Sequence, residues 1–288
     1  MAYLDHIHAC NNFVQSDYLP FIIERERFGW VGPEFSSQLA AWPEIFILSP
    51  EHIALAPTFK DFDSKSEAVL PPLAELLKKN YVEAWRDEFY PVTSDWHAPA
   101  VMQIERAACP YFGVRAYGVH LNGFVRKKDG IHMWIAKRDS NKQTYPGLLD
   151  NMVAGGQPIG LGLKENLIKE CNEEAGLPLE LAVKSVPTSF ISYTHIMPIM
   201  PTGGVKPDQI FCFDIELPHD FQPHPVDGEV EAFYLWPIEQ VAETVRDTDD
   251  FKFNCNLVII DFLIRHGIIT PDNEKSFAAI AQGLRNNT

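Results

Sequence analysis

The sequence has few of the residues that mark disulfide-rich or nucleic-acid-binding proteins. Its five cysteines are widely spaced and form no C-x-x-C pair, so neither a disulfide framework nor a zinc site is expected. The 24 lysines and arginines are outnumbered by 39 acidic residues, which gives a formal charge of −15. This balance argues against nucleic acid or an anionic membrane as the main partner.

The sequence also lacks the segments that direct a chain to a membrane. It has no long apolar run, and residues 1–8 lack a basic region followed by an apolar one. We therefore expect a reducing, cytoplasmic setting, with an organellar address left open for a eukaryotic source. Neither a G-x-S-x-G nor a P-loop motif is present, so no serine-hydrolase or P-loop assignment competes.

Length and composition predict a folded protein of two units. The chain of 288 residues is long for one compact domain, and its apolar and charged fractions of 46% and 22% are ordinary for a globular protein. Turn-forming residues are frequent between Pro91 and Pro110, so we place the boundary after residue 112. Residues 1–112 are predicted to form a smaller mixed α/β domain without a recognisable catalytic motif, and residues 113–288 a second domain.

Hydrophobic periodicity predicts the main elements of both units. The elements expected in the first unit are strands near residues 28–31, 44–48 and 53–56, and an amphipathic helix over residues 64–80 that restarts at Pro71-Pro72. The elements expected in the second unit are a hairpin turning at Gly130, strands over residues 185–193, 209–217 and 231–236, and helices over residues 237–246 and 254–266. The predicted fold class is α+β.

The most informative stretch is residues 155–177, where a glycine-rich turn leads into a helix that should end at Gly176. Apolar residues recur on this helix at helical spacing: Leu163, Leu167 and Cys171. Glu170, Glu173 and Glu174 crowd another face in the last turns, where the helix dipole disfavours negative charge. Two interpretations stay open from the spacing: a solvated acidic face, or a site for a divalent cation with hard oxygen ligands.

The same stretch resembles the Nudix box, a loop-helix signature written G-x5-E-x7-R-E-U-x-E-E-x-G-U, in which U is a bulky apolar residue. The positions that match its glycines, glutamates and apolar residues are Gly155, Glu170, Cys171, Glu173, Glu174, Gly176 and Leu177. Two positions differ, because Leu161 stands where the first glutamate belongs and Lys169 where the arginine belongs. The resemblance implies the α/β/α sandwich of Nudix domains for the C-terminal unit.

Sequence on both sides of the box narrows the resemblance to one branch of the family. Residues 150–156, 169–176, 227–231 and 261–267 are similar to the branch related to the Nudix part of fungal thiamine pyrophosphokinases, which carries an N-terminal domain of its own. This branch commonly lacks the first box glutamate and has lysine for arginine, so both departures are interpreted as features of the branch. Lys169 is counted as catalytic because it should brace the carboxylates, although it lacks the planar fork of arginine.

The resemblance implies a metal-dependent catalytic site on the predicted helix. Glu170, Glu173 and Glu174 are the implied ligands of Mg²⁺ or Mn²⁺, and Glu173 and Glu174 are also counted as catalytic. In Nudix enzymes the general base comes either from the box or from a later loop. On that loop Glu229 is our candidate and Glu231 its neighbour, with a solvated acidic turn as the alternative.

Basic and loop residues near the box are the candidate substrate contacts. Arg138 and Lys142 follow the predicted hairpin and are expected to receive phosphate oxygens, with ordinary surface positions as the alternative. Gly155, Gly156 and Gln157 lie where the box opens and are expected to line the pocket. The partner is therefore a small-molecule diphosphate.

The implied reaction is hydrolysis of a diphosphate to a monophosphate and phosphate. The branch points to thiamine diphosphate or its damaged oxo- and oxythiamine analogues, and this part rests on the resemblance alone. The alternatives are a hydrolase of nucleoside-diphosphate compounds such as ADP-ribose, and a non-catalytic diphosphate-binding module. Three roles are open for the N-terminal unit: closing over the heterocycle, forming a homodimer surface, or stabilising its neighbour.

Overall fold

The computed structural model describes residues 2–197 and 204–286. The elements of the N-terminal part, in chain order, are α1 (Tyr3–Cys10), β1 (Leu19–Ile23), β2 (Glu26–Val31), α2 (Pro33–Leu39), β3 (Phe46–Leu48), β4 (Ile53–Leu55), α3 (Phe62–Lys78), β5 (Phe89–Val92), β6 (Met102–Glu105) and α4 (Cys109–Phe112). Strands β2, β1, β4 and β3 form one sheet in that order, and β5 pairs with β6 in a separate hairpin. The predicted strands of this part are confirmed within a few residues.

Helix α3 confirms the predicted amphipathic helix and corrects its expected interruption. It begins after Asp61, whose side chain accepts a hydrogen bond from the Ser64 N–H at 2.8 Å. It then continues through Pro71 and Pro72 without restarting, although both lack an N–H for the helical ladder. We attribute the continuity to its apolar stripe, which is buried in the N-terminal core through Val69, Leu73 and Leu76.

The C-terminal part is built on a seven-stranded mixed sheet. Its elements are β7 (Ala116–Lys127), β8 (Gly130–Arg138), β9 (Leu149–Asp150), β10 (Val153–Gly156), α5 (Leu163–Ala175), α6 (Leu179–Ala182), β11 (Val186–Met197), β12 (Gly204–Glu216), β13 (Val230–Pro237), α7 (Ile238–Asp247), α8 (Phe253–Arg265) and α9 (Phe277–Gly283). The order is β11-β12-β7-β8-β13, with β10 paired to β7 and β9 to β8. Strands β12 and β7 run parallel, and the other pairs are antiparallel. The predicted hairpin β7–β8 is confirmed.

Helices cover both faces of this sheet, as the α/β/α prediction requires. Alternate residues of a strand point to opposite faces, so β7 contributes Val119 and Leu121 to one core and Phe124 to the other. The first core is closed by α5 through Leu167 and the second by α8 through Leu257. The fold is therefore α+β, with a sandwich as its C-terminal part.

Helix α1 packs on the C-terminal sandwich, although the boundary at residue 112 assigns it to the N-terminal unit. The Tyr3 hydroxyl donates to Ala242 O at 3.0 Å, and Ile7 and Cys10 are buried in the same core as α8. The two parts are thus joined by more than the chain at residue 112, and the division into 1–112 and 113–288 stays a prediction. Among the helices of the described residues, none has the length and apolarity that crossing a bilayer requires.

Candidate metal and substrate site

Helix α5 holds two of its three predicted carboxylates against strand β10. Glu170 and Glu174 are about one helical turn apart on the face that meets β10, while Cys171 packs in the core. Glu174 Oε2 accepts a hydrogen bond from the Ala154 N–H at 2.9 Å. Glu170 lies over Gly155, because a Cβ atom added to Gly155 would come within 2.4 Å of Glu170 Cγ. The helix therefore ends, at the predicted Gly176 cap, with two carboxylates facing a strand.

Glu174 is buried and Glu170 is partly buried, and this burial raises the pKa values of both carboxyl groups. Glu174 is 7% exposed, and its pKa lies well above the ordinary value because burial disfavours the charged form. The nearby charges of Asp150, Glu170 and Glu229 add to this shift, although the backbone hydrogen bond to Glu174 opposes it. Burial also raises the pKa of Glu170, against the opposing charge of Lys169. The protein alone therefore makes the ionised form of both carboxyl groups costly.

Glu173, the third predicted carboxylate, lies apart from Glu170 and Glu174 and contacts Lys169. Lys169 Nζ is 2.7 Å from Glu173 Oε2 and 3.3 Å from Glu170 Oε1, so it spans the helix surface between them. The bracing contact expected of Lys169 is present, while its catalytic role stays a prediction. Glu173 would have to leave Lys169 to bind a metal together with its neighbours.

The loop before β13 brings Glu229 into the same electrostatic neighbourhood. The Glu229 N–H donates to Asp227 Oδ1 at 2.8 Å, and the Glu229 carboxylate pairs with Lys142. Burial favours a higher pKa for Glu229, but the hydrogen bond and charge of Lys142 outweigh it, so the pKa is lowered. Glu229 is thus ionised at neutral pH, as a general base requires. Glu231 instead pairs with Lys137 at 2.9 Å on the surface.

The carboxylates of α5 suit a hard divalent cation. Glu170 and Glu174 offer oxygen ligands of the kind that Mg²⁺ and Mn²⁺ prefer. Their raised pKa values mark an energetic cost of holding both charges in a buried place. A bound cation would remove that cost, so the residues fit the metal that the box implies.

Arg138 and Gln157, two predicted substrate contacts, point into the protein instead. Arg138 donates through Nε to Tyr145 O and through Nη2 to Thr144 O, each at 2.8 Å, and its third nitrogen pairs with a buried aspartate. Gln157 is fully buried and donates through Nε2 to Leu161 O at 2.8 Å. Both side chains shape loops around the site, so this geometry does not support their direct contact with substrate.

Beside the site lies a buried polar network around Asp150, in which Arg138 and Lys252 supply positive charge. Within residues 2–197 and 204–286, the three ligand-type atoms that lie within 4.8 Å of one another belong to His120, Asp150 and Cys255. Burial favours a higher pKa for Asp150, but the charges of Lys252 and Arg138 lower it to about 2. Burial, reinforced by Lys252, lowers the pKa of His120 to about 4. The Cys255 thiol donates to Asp150 Oδ1 at 2.7 Å, so the aspartate is compensated without a metal.

A cavity of about 190 Å³ opens beside β10, between the N-terminal part and the sandwich. Ala154, Gly155 and Gly156 of β10 line it. Four cationic and two anionic side chains also line it: Arg86, Arg106, Lys206, Lys252, Glu83 and Asp208. The lining is therefore net positive in a chain whose formal charge is −15, and such a concave surface attracts anions.

Two lining residues from the N-terminal part carried no sequence signal. A Cβ atom added to Gly156 would fall 1.6 Å from the Tyr90 hydroxyl oxygen, so Tyr90 touches the strand. Arg106 pairs with Glu88 at 2.9 Å, and its Cζ lies 5.7 Å from the centre of the Tyr90 ring. Both residues are distant from the box along the chain, and no local motif marks them.

Comparison with known proteins identifies the family. Residues 2–116 match a family model described as a domain of unknown function (DUF4743). The chain is 38% identical over 296 residues to Nudix hydrolase 20, chloroplastic, of Arabidopsis thaliana, with 99% of this chain and 78% of the relative covered. Nudix hydrolase 24, chloroplastic, of the same plant is 40% identical over 289 residues at the same coverage. The chain belongs to the Nudix hydrolase family.

The assignment confirms the predictions of a Nudix fold and of a hydrolase. The crystal structure of DR0079 from Deinococcus radiodurans matches with a TM-score of 0.46 and 19% identity, covering 60% of this Nudix hydrolase and 98% of that protein. Divalent metal ions are the general cofactors of Nudix hydrolases. The thiamine-related branch, the particular metal, the cytoplasmic setting and the individual site residues stay predictions.

Proposed function

We propose that this Nudix hydrolase cleaves thiamine diphosphate, or its oxo- and oxythiamine analogues, to the monophosphate and phosphate with Mg²⁺ or Mn²⁺. The proposal rests on the position of β10, which contacts the carboxylates of α5 and also lines the cavity. One side of this strand meets the carboxylates of Glu170 and Glu174, and its residues also line the net positive cavity. A cation-holding group and an anion-attracting pocket thus share one strand. The thiamine part rests on the resemblance of residues 150–156 and 227–231 to one branch of the family.

The residues of the site have two roles: some would bind the metal cation, and one accepts a proton from water. Glu170 and Glu174 would hold the cation, and Glu173 would support it if its carboxylate left Lys169. When bound, the ion supplies positive charge to the phosphate oxygens and makes a water more acidic. The ionised Glu229 accepts a proton from the attacking water. The water oxygen forms a bond to phosphorus as the bridging P–O bond breaks, and phosphate leaves.

The cavity holds the rest of the substrate. Gly155 and Gly156 line the cavity, and because neither carries a side chain, Glu170 and Tyr90 can lie directly against the strand. Arg106 and Lys252 contribute positive charge to the same lining, where it offsets the charge of the phosphates. This arrangement places no requirement on Leu161, in agreement with its interpretation as a feature of the branch.

The test is phosphate release from a panel of diphosphates in the presence of Mg²⁺ or Mn²⁺. The panel contains thiamine diphosphate, its oxo- and oxythiamine analogues, and ADP-ribose. We expect turnover of the thiamine compounds and a loss of at least about a hundredfold in Glu174→Gln, since even outer partners of metal ligands cost about 10- to 100-fold. Glu180→Gln, an exposed glutamate on the next helix, is the matched control and should keep full activity.

Three outcomes contradict different parts of the proposal. Turnover of ADP-ribose without turnover of any thiamine compound would show that the substrate is wrong. Tight binding of the diphosphates without release from any of them would favour the non-catalytic module. Equal activity in Glu174→Gln and Glu180→Gln would remove Glu174 from the site.

A further inference from the structure

Strand β12 contributes to the cavity lining an aspartate, Asp208, that has one unpaired carboxylate oxygen. Asp208 is 8% exposed and lines the cavity. Its Oδ2 accepts a hydrogen bond from the Tyr193 hydroxyl at 3.0 Å and lies 3.1 Å from Lys206 Nζ. Its Oδ1 is buried and has no hydrogen-bond partner in the part of the chain that the structure describes. A buried acceptor of this kind is costly when it is left unmatched, so it points to a donor on a ligand.

The surroundings of this oxygen suit a flat ring. Aromatic side chains line the same cavity: Tyr90, Tyr117, Tyr145 and Phe253. Ring faces and apolar walls are the usual surfaces on which ligand rings pack, with a few polar groups that fix their orientation. The cavity therefore offers contact area for a heterocycle together with one acceptor for a donor on its edge.

We propose that Asp208 Oδ1 accepts a hydrogen bond from an amino or ring N–H group of the substrate, so that this residue selects diphosphates by their heterocycle. The inference deepens the proposed function and rests on it for the diphosphate half of the ligand. The recognition of a ring rests on the unpaired oxygen of Asp208 and on the aromatic side chains that line the cavity. The class of ligand is a diphosphate attached to a flat, nitrogen-bearing ring, such as the aminopyrimidine of thiamine.

The substitution Asp208→Asn tests the donor directly, because the structure fixes how the amide must turn. The Tyr193 hydroxyl donates to one oxygen of Asp208, so the amide carbonyl of asparagine takes that position. The amide NH₂ then replaces Oδ1. A hydrogen-bond donor on the ligand would then face a donor on the protein, so the hydrogen bond could not form.

The measurement is calorimetric binding of thiamine monophosphate, which lacks the anhydride bond and so reports ring recognition without turnover. The second probe is the same compound without its pyrimidine amino group. We expect Asp208→Asn to weaken binding of thiamine monophosphate roughly ten- to hundredfold, as for a lost hydrogen bond to a charged group. Binding of the deaminated probe should change little. The difference between the two probes isolates the contact from any general effect of the substitution.

Asp214→Asn is the matched control, because Asp214 is also a buried aspartate of β12 but does not line the cavity. It should lower stability through its contact with Arg265 and leave binding of both probes unchanged. Equal weakening of both probes by Asp208→Asn, no weakening, or no binding of thiamine monophosphate to the wild type would each overturn the inference. Selective weakening together with no hydrolysis of thiamine diphosphate would uphold the ring contact and reject the proposed reaction.

Discussion

Gly155→Ala should disable the site while leaving the fold intact. The added Cβ would lie 2.4 Å from Glu170 Cγ and 2.8 Å from Glu170 Oε2, whereas ordinary van der Waals contact begins at 3.4 Å. The carboxylate of Glu170 must therefore move by roughly 1 Å or more, and a misplacement of that size at a catalytic site costs about a hundredfold in rate. Since a glutamate side chain can turn aside, the free energy of unfolding should fall only by about 1–3 kcal/mol.

The assay is phosphate release measured across a range of Mg²⁺ concentrations, with thermal unfolding of the same samples. We expect kcat/KM to fall about a hundredfold and the half-saturating Mg²⁺ concentration to rise, because a displaced ligand binds the ion less well. Gly162→Ala is the control, since a Cβ atom there meets no atom within 4 Å and the residue already has an ordinary φ of −72°. Unchanged Mg²⁺ dependence in a folded Gly155→Ala protein would refute the placement of Glu170 at the metal.

Three further changes follow from the charges of the site. Glu174 has a raised pKa in the folded state, so without metal its contribution to stability is present at acid pH and is lost as the pH rises through the folded-state pKa. Mg²⁺ should therefore raise the melting temperature more at pH 8 than at pH 5, and Glu174→Gln should reduce this difference, with the part due to Glu170 remaining. Arg138→Met leaves buried Asp150 without its closest cation and should lower the free energy of unfolding by about 3–5 kcal/mol in chemical denaturation, whereas a loss below about 1 kcal/mol would contradict the structural role of Arg138. Glu229→Gln should lower kcat by about 10²- to 10⁴-fold with little change in binding of thiamine monophosphate, and retention of kcat would place the general base elsewhere.

The parts of the fold that were predicted correctly are those whose signals are local. The spacing of Leu167 and Cys171 locates the buried face of α5, and Gly176 ends the helix because it adopts φ 59°. The hairpin at Gly130 was found for the same reason, since a turn residue and its flanking strands are close in sequence. The α/β/α arrangement followed from the resemblance of the box and was then found in the two cores of the sheet.

The features that were not predicted depend on tertiary contacts that no pattern in the sequence marks. Arg138 was expected at the substrate because its positive charge follows the predicted hairpin, yet its bonds to Thr144 and Tyr145 hold it inside. Helix α1 was assigned to the N-terminal unit by its position in the chain, whereas its partners lie in α7, α8 and α9. Neither set of contacts is marked by a recognisable motif or by the spacing of apolar residues.

The two glycines of β10 explain why the N-terminal part belongs to the site. Neighbouring residues of a strand face opposite ways, so Gly155 turns toward Glu170 and Gly156 toward Tyr90. A side chain at the first position would displace a carboxylate of α5, and one at the second would collide with the N-terminal part. The strand is therefore enclosed from both sides, and only residues without a Cβ fit between the helix and Tyr90. The cavity exists because this close approach brings Arg106 and Tyr90 to the edge of the sandwich, which makes the N-terminal part a wall of the pocket.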